Sequence, residues 1–169
     1  YWHSRKDSVG CIRTIVGDIA DPAIIRNALG TDTSSVFHLA AIVSGQAEAD
    51  FDLGMRINLD ATRALLECCR AMPKPPRLVF ASSVAVFGGA LPDTVPANFE
   101  LNPQTSYGTQ KAMSELLVKD YGRRGFVDAR AYRLPTVCVR PGTPNRAASS
   151  FASGIIRAPL LGIYAACPV

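Results

Sequence analysis

The chain has 169 residues, 48% of them hydrophobic and 19% charged, with mean hydropathy +0.13. That balance fills one core and excludes both a disordered chain and two generous domains. The net charge of +4 is spread along the sequence, with Arg123–Arg124 a tight basic cluster. Scattered charge of this kind argues for a solvated surface and against a nucleic-acid partner. No apolar run reaches the roughly 18 residues of a membrane helix, so no membrane partner is expected. Five cysteines without a C-x-x-C pair, beside only His3 and His38, argue against a disulfide framework and against a metal site. Reduced thiols point to a cytoplasmic protein.

Short β-rich runs alternate with helical stretches. Cys11–Val16 reads as a strand, and Asp21-Pro22 opens a helix that runs through Leu29. Ser35–Leu39 is a second strand. Ala47 to about Met72 has Leu59, Leu65, Leu66 and Cys69 at helical spacing, and Pro73, Pro75 and Pro76 stop it. Arg77-Leu78-Val79-Phe80-Ala81 is a continuous apolar run, expected to be buried on both faces. Residues 88–103 form a Pro/Gly-rich loop, Gln104–Arg124 a helix, Ala129–Leu134 a strand, residues 140–145 a loop and Ser149–Ile156 a short helix. The alternation predicts an α/β fold: a Rossmann-like, doubly wound parallel sheet. In such sheets ligands sit beyond the carboxyl ends of the strands. Polar residues follow each strand in turn: Asp18, His38, Ser82-Ser83 and Thr136.

Tyr107 and Lys111 lie one helical turn apart, on the side opposite the apolar stripe Ala112, Met113, Leu116 and Leu117. Their face meets either solvent or a cleft. A lysine cation ~5 Å from the phenol, at an effective dielectric of ~20, would lower its pKa by about two units and make a workable base. The plain alternative is an exposed pair of ordinary residues. Ser82 and Ser83 end a buried strand ahead of Gly88, where they either orient a substrate oxygen or satisfy nearby backbone. Asp18 reads equally as a turn acid or helix cap, and His38 as a packed residue at the sheet end.

Taken together, Val16-Gly17-Asp18-Ile19, His38-Leu39-Ala40-Ala41, Asn58, Ser82–Gly88 as S-S-V-A-V-F-G, and Tyr107-Gly108-Thr109-Gln110-Lys111 resemble the extended short-chain dehydrogenase/reductases, the NAD-dependent epimerase/dehydratase family. The resemblance spans nearly the whole chain. It implies Ser83, Tyr107 and Lys111 as the catalytic set. Asp18 and Ile19 would flank the adenine, with Leu39, Ala40 and Ala41 along the dinucleotide, and Asn58 near the cofactor. Pro135 and Val137 would pass the nicotinamide, and Lys111 would bind its ribose. The family's glycine-rich pyrophosphate turn is missing, as are its first βαβ unit and the acid that reads the adenine ribose. The chain is therefore expected to be a partial NAD-binding domain with a substrate lobe beginning at about residue 141, an internal piece of a longer enzyme that binds cofactor poorly alone. NAD rests on the resemblance, and NADP stays open.

The segments Ala40–Gly45 and Leu134–Gly142, with Asn145, resemble the sugar-acid oxidisers of the family. They imply NAD-dependent oxidation of the C2 hydroxyl of a four-carbon sugar acid. Ser83, Tyr107, Thr136, Arg140, Ser44 and Asn145 are the substrate candidates, Arg140 because its fork matches a carboxylate. Two other readings remain: a nucleotide-sugar epimerase or dehydratase, and a dinucleotide sensor without turnover. Family members imply a homodimer through the Tyr107 helix.

Overall fold

A computed structural model describes residues 12–140 and 149–167. Its centre is a parallel sheet of β1 (Ser35–His38), β2 (Arg77–Ser83) and β3 (Asp128–Leu134), in that order. Ser35 aligns with Arg77 and then Asp128, so the strands run level to His38, Phe80 and Ala131. Parallel neighbours need long crossovers. Helices supply them: α4 (Ala61–Arg70) between β1 and β2, and α5 (Ser106–Arg123) between β2 and β3.

Helix α1 (Pro22–Ala28) begins as its sequence dictates, with Asp21 capping the Ala23 amide and proline in the first turn. Ile25 of α1 joins Leu65, Leu66, Cys68 and Cys69 of α4, Leu78 and Phe80 of β2, and Val118 of α5 in one core. These helices cover the sheet face of Leu78 and Phe80. On the other face Phe37 is 66% and Tyr132 56% exposed. The run Arg77–Ala81 is therefore buried on one face only, with residues 78, 80 and 82 enclosed and 79 and 81 half-buried.

Three expectations change. Residues 12–16 form no strand: no ladder partner lies beside them among the described residues, and Ile12 and Val16 stay exposed. Cys11 lies outside the described residues. The long helix expected over 47–72 is not continuous. It consists of α2 (Ser44–Ala49), a break at Asp50, α3 (Phe51–Gly54), a wide π-type turn over Met55–Asp60, and then α4. Asp50 makes the break by capping Leu53 with its carboxylate, which satisfies a helix start where a helix interior was expected. The last helix, α6 (Ser150–Leu160), is longer than 149–156 and carries Pro159 near its end. The expected loop beyond Arg140 lies mostly outside the described residues.

Candidate active site

The carboxyl ends of β2 and β3 open into a cleft of about 500 Å³. One wall is Leu39, Ala41, Val43 and Ser44, the floor Ser82 and Ser83. Tyr107 and Lys111 come from α5, and Leu134–Val137 with Arg140 and Ser149 close the far side. Of the residues singled out by sequence, Ser83, Tyr107, Lys111, Leu39, Ala41, Ser44, Pro135, Thr136, Val137 and Arg140 share this cleft. Ile19 and Ala40 line a neighbouring cavity beside β1, which Leu39 also borders. Asn145 lies outside the described residues.

Helix α5 does not present the face its apolar pattern suggests. Lys111 is 1% exposed, while Leu116, counted in the apolar stripe, is 58% exposed. Gln110, Ser114 and Glu115 are buried with Lys111. Polar residues turn inward here because each has a partner there. Lys111 Nζ donates to the Ala81 carbonyl at 2.8 Å, Ser114 Oγ to the Asn58 carbonyl at 2.8 Å, and Glu115 accepts a two-pronged pair from Arg133 at 2.9 Å. Gly108 lets α5 approach this closely. A Cβ there would sit 2.2 Å from the Ala85 carbonyl oxygen.

The phenol of Tyr107 stands above its ordinary pKa because burial disfavours the anion, and a hydrogen bond with Ser83 partly offsets this. The net shift is therefore upward and not the lowering expected from Lys111, whose ammonium donates to the Ala81 carbonyl and lies 5.8 Å from the phenol ring centre. Burial holds Lys111 itself down to about 8. Ser83 Oγ accepts from the Ala85 amide at 3.2 Å, the local backbone bond considered above, while also meeting Tyr107. Ser82 Oγ is buried with no hydrogen-bond partner among the described residues.

Three candidates outside the cleft have their own partners. Asp18 accepts from the Ala20 amide at 2.9 Å and pairs with Arg56, and these hold its carboxyl below the usual range. His38 is packed against Phe80 and Thr62. Asn58, at the π turn, binds the Ile42 peptide at both its N–H and C=O, 2.8 and 3.1 Å away. Sequence reasoning missed Gln110, Ser149 and Thr105. Gln110 sat inside a motif whose ends drew the attention, and Ser149 meets Arg140 Nη2 at 3.2 Å only through the fold. Thr105 carried a visible signal, since its hydroxyl caps the Gly108 amide at 3.1 Å as helix-start threonines do. No three His, Cys, Asp or Glu side chains cluster as a metal set among the described residues, and no described helix is long and apolar enough to cross a membrane.

The chain matches the model of the "NAD dependent epimerase/dehydratase family" over residues 2–164. It is 66% identical over 158 residues to a D-erythronate dehydrogenase of Cupriavidus necator, covering 94% of this chain and 49% of that protein. A D-erythronate dehydrogenase of Haemophilus influenzae is 53% identical over 148 residues, 88% of this chain and 47% of that one. Among solved structures, the nucleoside-diphosphate-sugar epimerase from Agrobacterium tumefaciens superposes with a TM-score of 0.88 at 48% identity, covering 99% of this chain and 50% of that chain. The chain thus spans about half the length of the relatives it matches. With a family match across almost its whole length and the parallel sheet that goes with it, the chain belongs to the NAD-dependent epimerase/dehydratase family.

Proposed function

We propose that the full-length protein containing this chain is an NAD-dependent dehydrogenase that oxidises the C2 hydroxyl of a four-carbon sugar acid, D-erythronate, to 2-dehydro-D-erythronate. The observation that carries this reading is the gathering of Ser83, Tyr107 and Lys111 in one cleft with Arg140. The names of the relatives from C. necator and H. influenzae support the substrate.

Tyr107 takes the hydroxyl proton, and Ser83, beside it in the cleft, holds the substrate oxygen in line with it. Lys111, fixed to Ala81, keeps a positive charge at the cleft wall. The fork of Arg140 suits the acid's carboxylate, with Ser44 and Thr136 within the same cleft for its hydroxyls. The residues present fit a dinucleotide. An apolar wall of Leu39, Ala41 and Val137 faces a floor where the Ser82 hydroxyl is buried and unpartnered among the described residues. NAD, when bound, supplies the hydride acceptor. Residues 1–169 form part of its binding domain, with the start of the substrate lobe at about 141–169. Phe51 and Leu116, both exposed, support a homodimer that uses the outer side of α5.

The test is NADH absorbance from the full-length protein with NAD⁺ and a panel of four-carbon sugar acids. D-Erythronate should give NADH, and Tyr107→Phe should lose about 10²–10⁴-fold in kcat while retaining NAD binding. A second reading, a nucleotide-sugar epimerase, is supported by the Agrobacterium structure. Silence across the acid panel from a folded, NAD-binding protein, with turnover of a nucleotide sugar, would establish it instead.

A further inference from the structure

Gln110 lies between Tyr107 and Lys111 on α5 and points away from the cleft, with none of its surface exposed. Its Oε1 accepts from Asn58 Nδ2 at 2.7 Å. The orientation of both amides follows from chemistry. The Ile42 N–H can only donate, so the Asn58 atom facing it is the oxygen, and Asn58 Nδ2 is left to donate to the Ile42 carbonyl and to Gln110. The atom of Gln110 that meets Asn58 is therefore oxygen. Its Nε2 is left without a partner among the described residues, in a space kept open by Gly54, where a Cβ would lie 2.6 Å away. An orphaned buried N–H is costly. It is tolerated here beside a bond that joins two distant parts of the cleft.

We propose that Gln110 is a positioning residue: through Asn58 it fixes the Ile42 peptide, and so holds the 39–44 wall of the cleft at a set distance from Tyr107 and Lys111. The relay is closed on its other side as well. The Asn58 carbonyl, in the widened turn, accepts from the Ser114 and Thr62 hydroxyls at 2.8 Å each, so Asn58 cannot swing away from α5. Every side chain in this relay is buried. A displacement of one wall by about 1 Å costs a reacting geometry up to about a hundredfold. That makes Gln110 matter to turnover although it touches neither substrate nor cofactor.

The assignment of a catalytic consequence rests on the dehydrogenase reading, and the test separates the two. In the full-length protein, Gln110→Met keeps the volume and loses the acceptor, whereas Gln110→Glu restores an acceptor oxygen. Amide hydrogen exchange of the 39–44 segment should quicken about tenfold in Gln110→Met and return toward wild type in Gln110→Glu. With D-erythronate, kcat of Gln110→Met should fall about tenfold or more, KM for the acid should stay within about threefold, and Gln110→Glu should recover most of the loss. Unchanged exchange at 39–44 overturns the proposal. So does altered exchange with wild-type kcat, which would make the relay merely structural. If the wild-type protein oxidises no sugar acid, the substrate reading falls alone, and the exchange comparison by itself decides whether Gln110 holds this wall.

Discussion

The ammonium of Lys111 is tied to the sheet, not to the tyrosine beside it: Nζ meets the Ala81 carbonyl at 2.8 Å and hangs over the Phe80 ring, 4.6 Å from its centre. A cation with one backbone bond and an aromatic face has given up most of its water. Burial accordingly brings its pKa from 10.5 to about 8.

That burial makes Lys111 a liability for folding at neutral pH. The unfolded chain holds the proton up to about 10.5 and the native one only to about 8, so native stability climbs as pH rises between these values. Lys111→Met should be more stable than wild type at pH 7, by on the order of 3 kcal/mol. The gain should shrink as pH goes from 8 to 10.5, while turnover is lost. Urea unfolding at pH 7 and pH 10 measures both ends, and a variant less stable at pH 7 would count against the argument.

Tyr107 must be ionised to accept a proton and protonated to give one. Because burial raises its pKa, the ionised fraction near neutrality is small and grows about tenfold per pH unit below that pKa. Alcohol oxidation should therefore accelerate from pH 6 to pH 9 while the reverse reduction does not. Rates in the two directions that rise together would remove Tyr107 from the proton-transfer role.

His38 gives the opposite handle, at acid pH. Thr62 spends its hydroxyl proton on the Asn58 carbonyl, so His38 Nε2 must be the donor in their 2.9 Å contact. Burial, with Lys111 nearby, holds its pKa down to about 4. Stability should thus be lost as pH falls from 6.5 toward 4, by on the order of 3 kcal/mol when complete. His38→Asn should show a shallower decline over that window in urea titrations. An equal slope in both proteins would assign acid sensitivity elsewhere.

Two glycines of α5 offer a matched comparison. Alanine is the better helix former at both Gly108 and Gly122. At Gly122 the nearest atom to a new Cβ is 3.6 Å away, so Gly122→Ala should be neutral or stabilising by up to about 1 kcal/mol. At Gly108 the Ala85 oxygen blocks it, so Gly108→Ala should cost about 1–3 kcal/mol and loosen Tyr107 from Ser83. Gly108→Ala should lower the melting temperature, while Gly122→Ala leaves it unchanged or raises it.

How far these features could be read from the chain depended on the distance to their causes. Asp21-Pro22 announces a helix start because the cap and the capped amide are neighbours. Tyr107 and Lys111 were legible as a pair because one turn of helix separates them. The face of α5 was not, since what draws Ser114 and Glu115 inward is the Asn58 carbonyl and Arg133, both far away in sequence. The π turn was equally hidden. Its residues, Met-Arg-Ile-Asn-Leu-Asp, hold no breaker, and the helical period of Leu59, Leu65 and Leu66 runs straight across it. Residues 12–16 show the converse, a strand-like composition without a ladder partner among the described residues.

The wide turn at Met55–Asp60 also bears on how this protein tolerates changes of length. Relative to an α-helix, a π turn carries about one residue more than the path requires. Deleting one residue there would give a more regular helix by every local measure. It would keep the two flanking helices nearly in phase but close the widened turn in which the Asn58 carbonyl accepts from the Ser114 and Thr62 hydroxyls. Single-residue deletions should therefore be accepted in the 88–103 loop and rejected in this turn, where the surplus residue keeps the Asn58 carbonyl open to two side-chain donors.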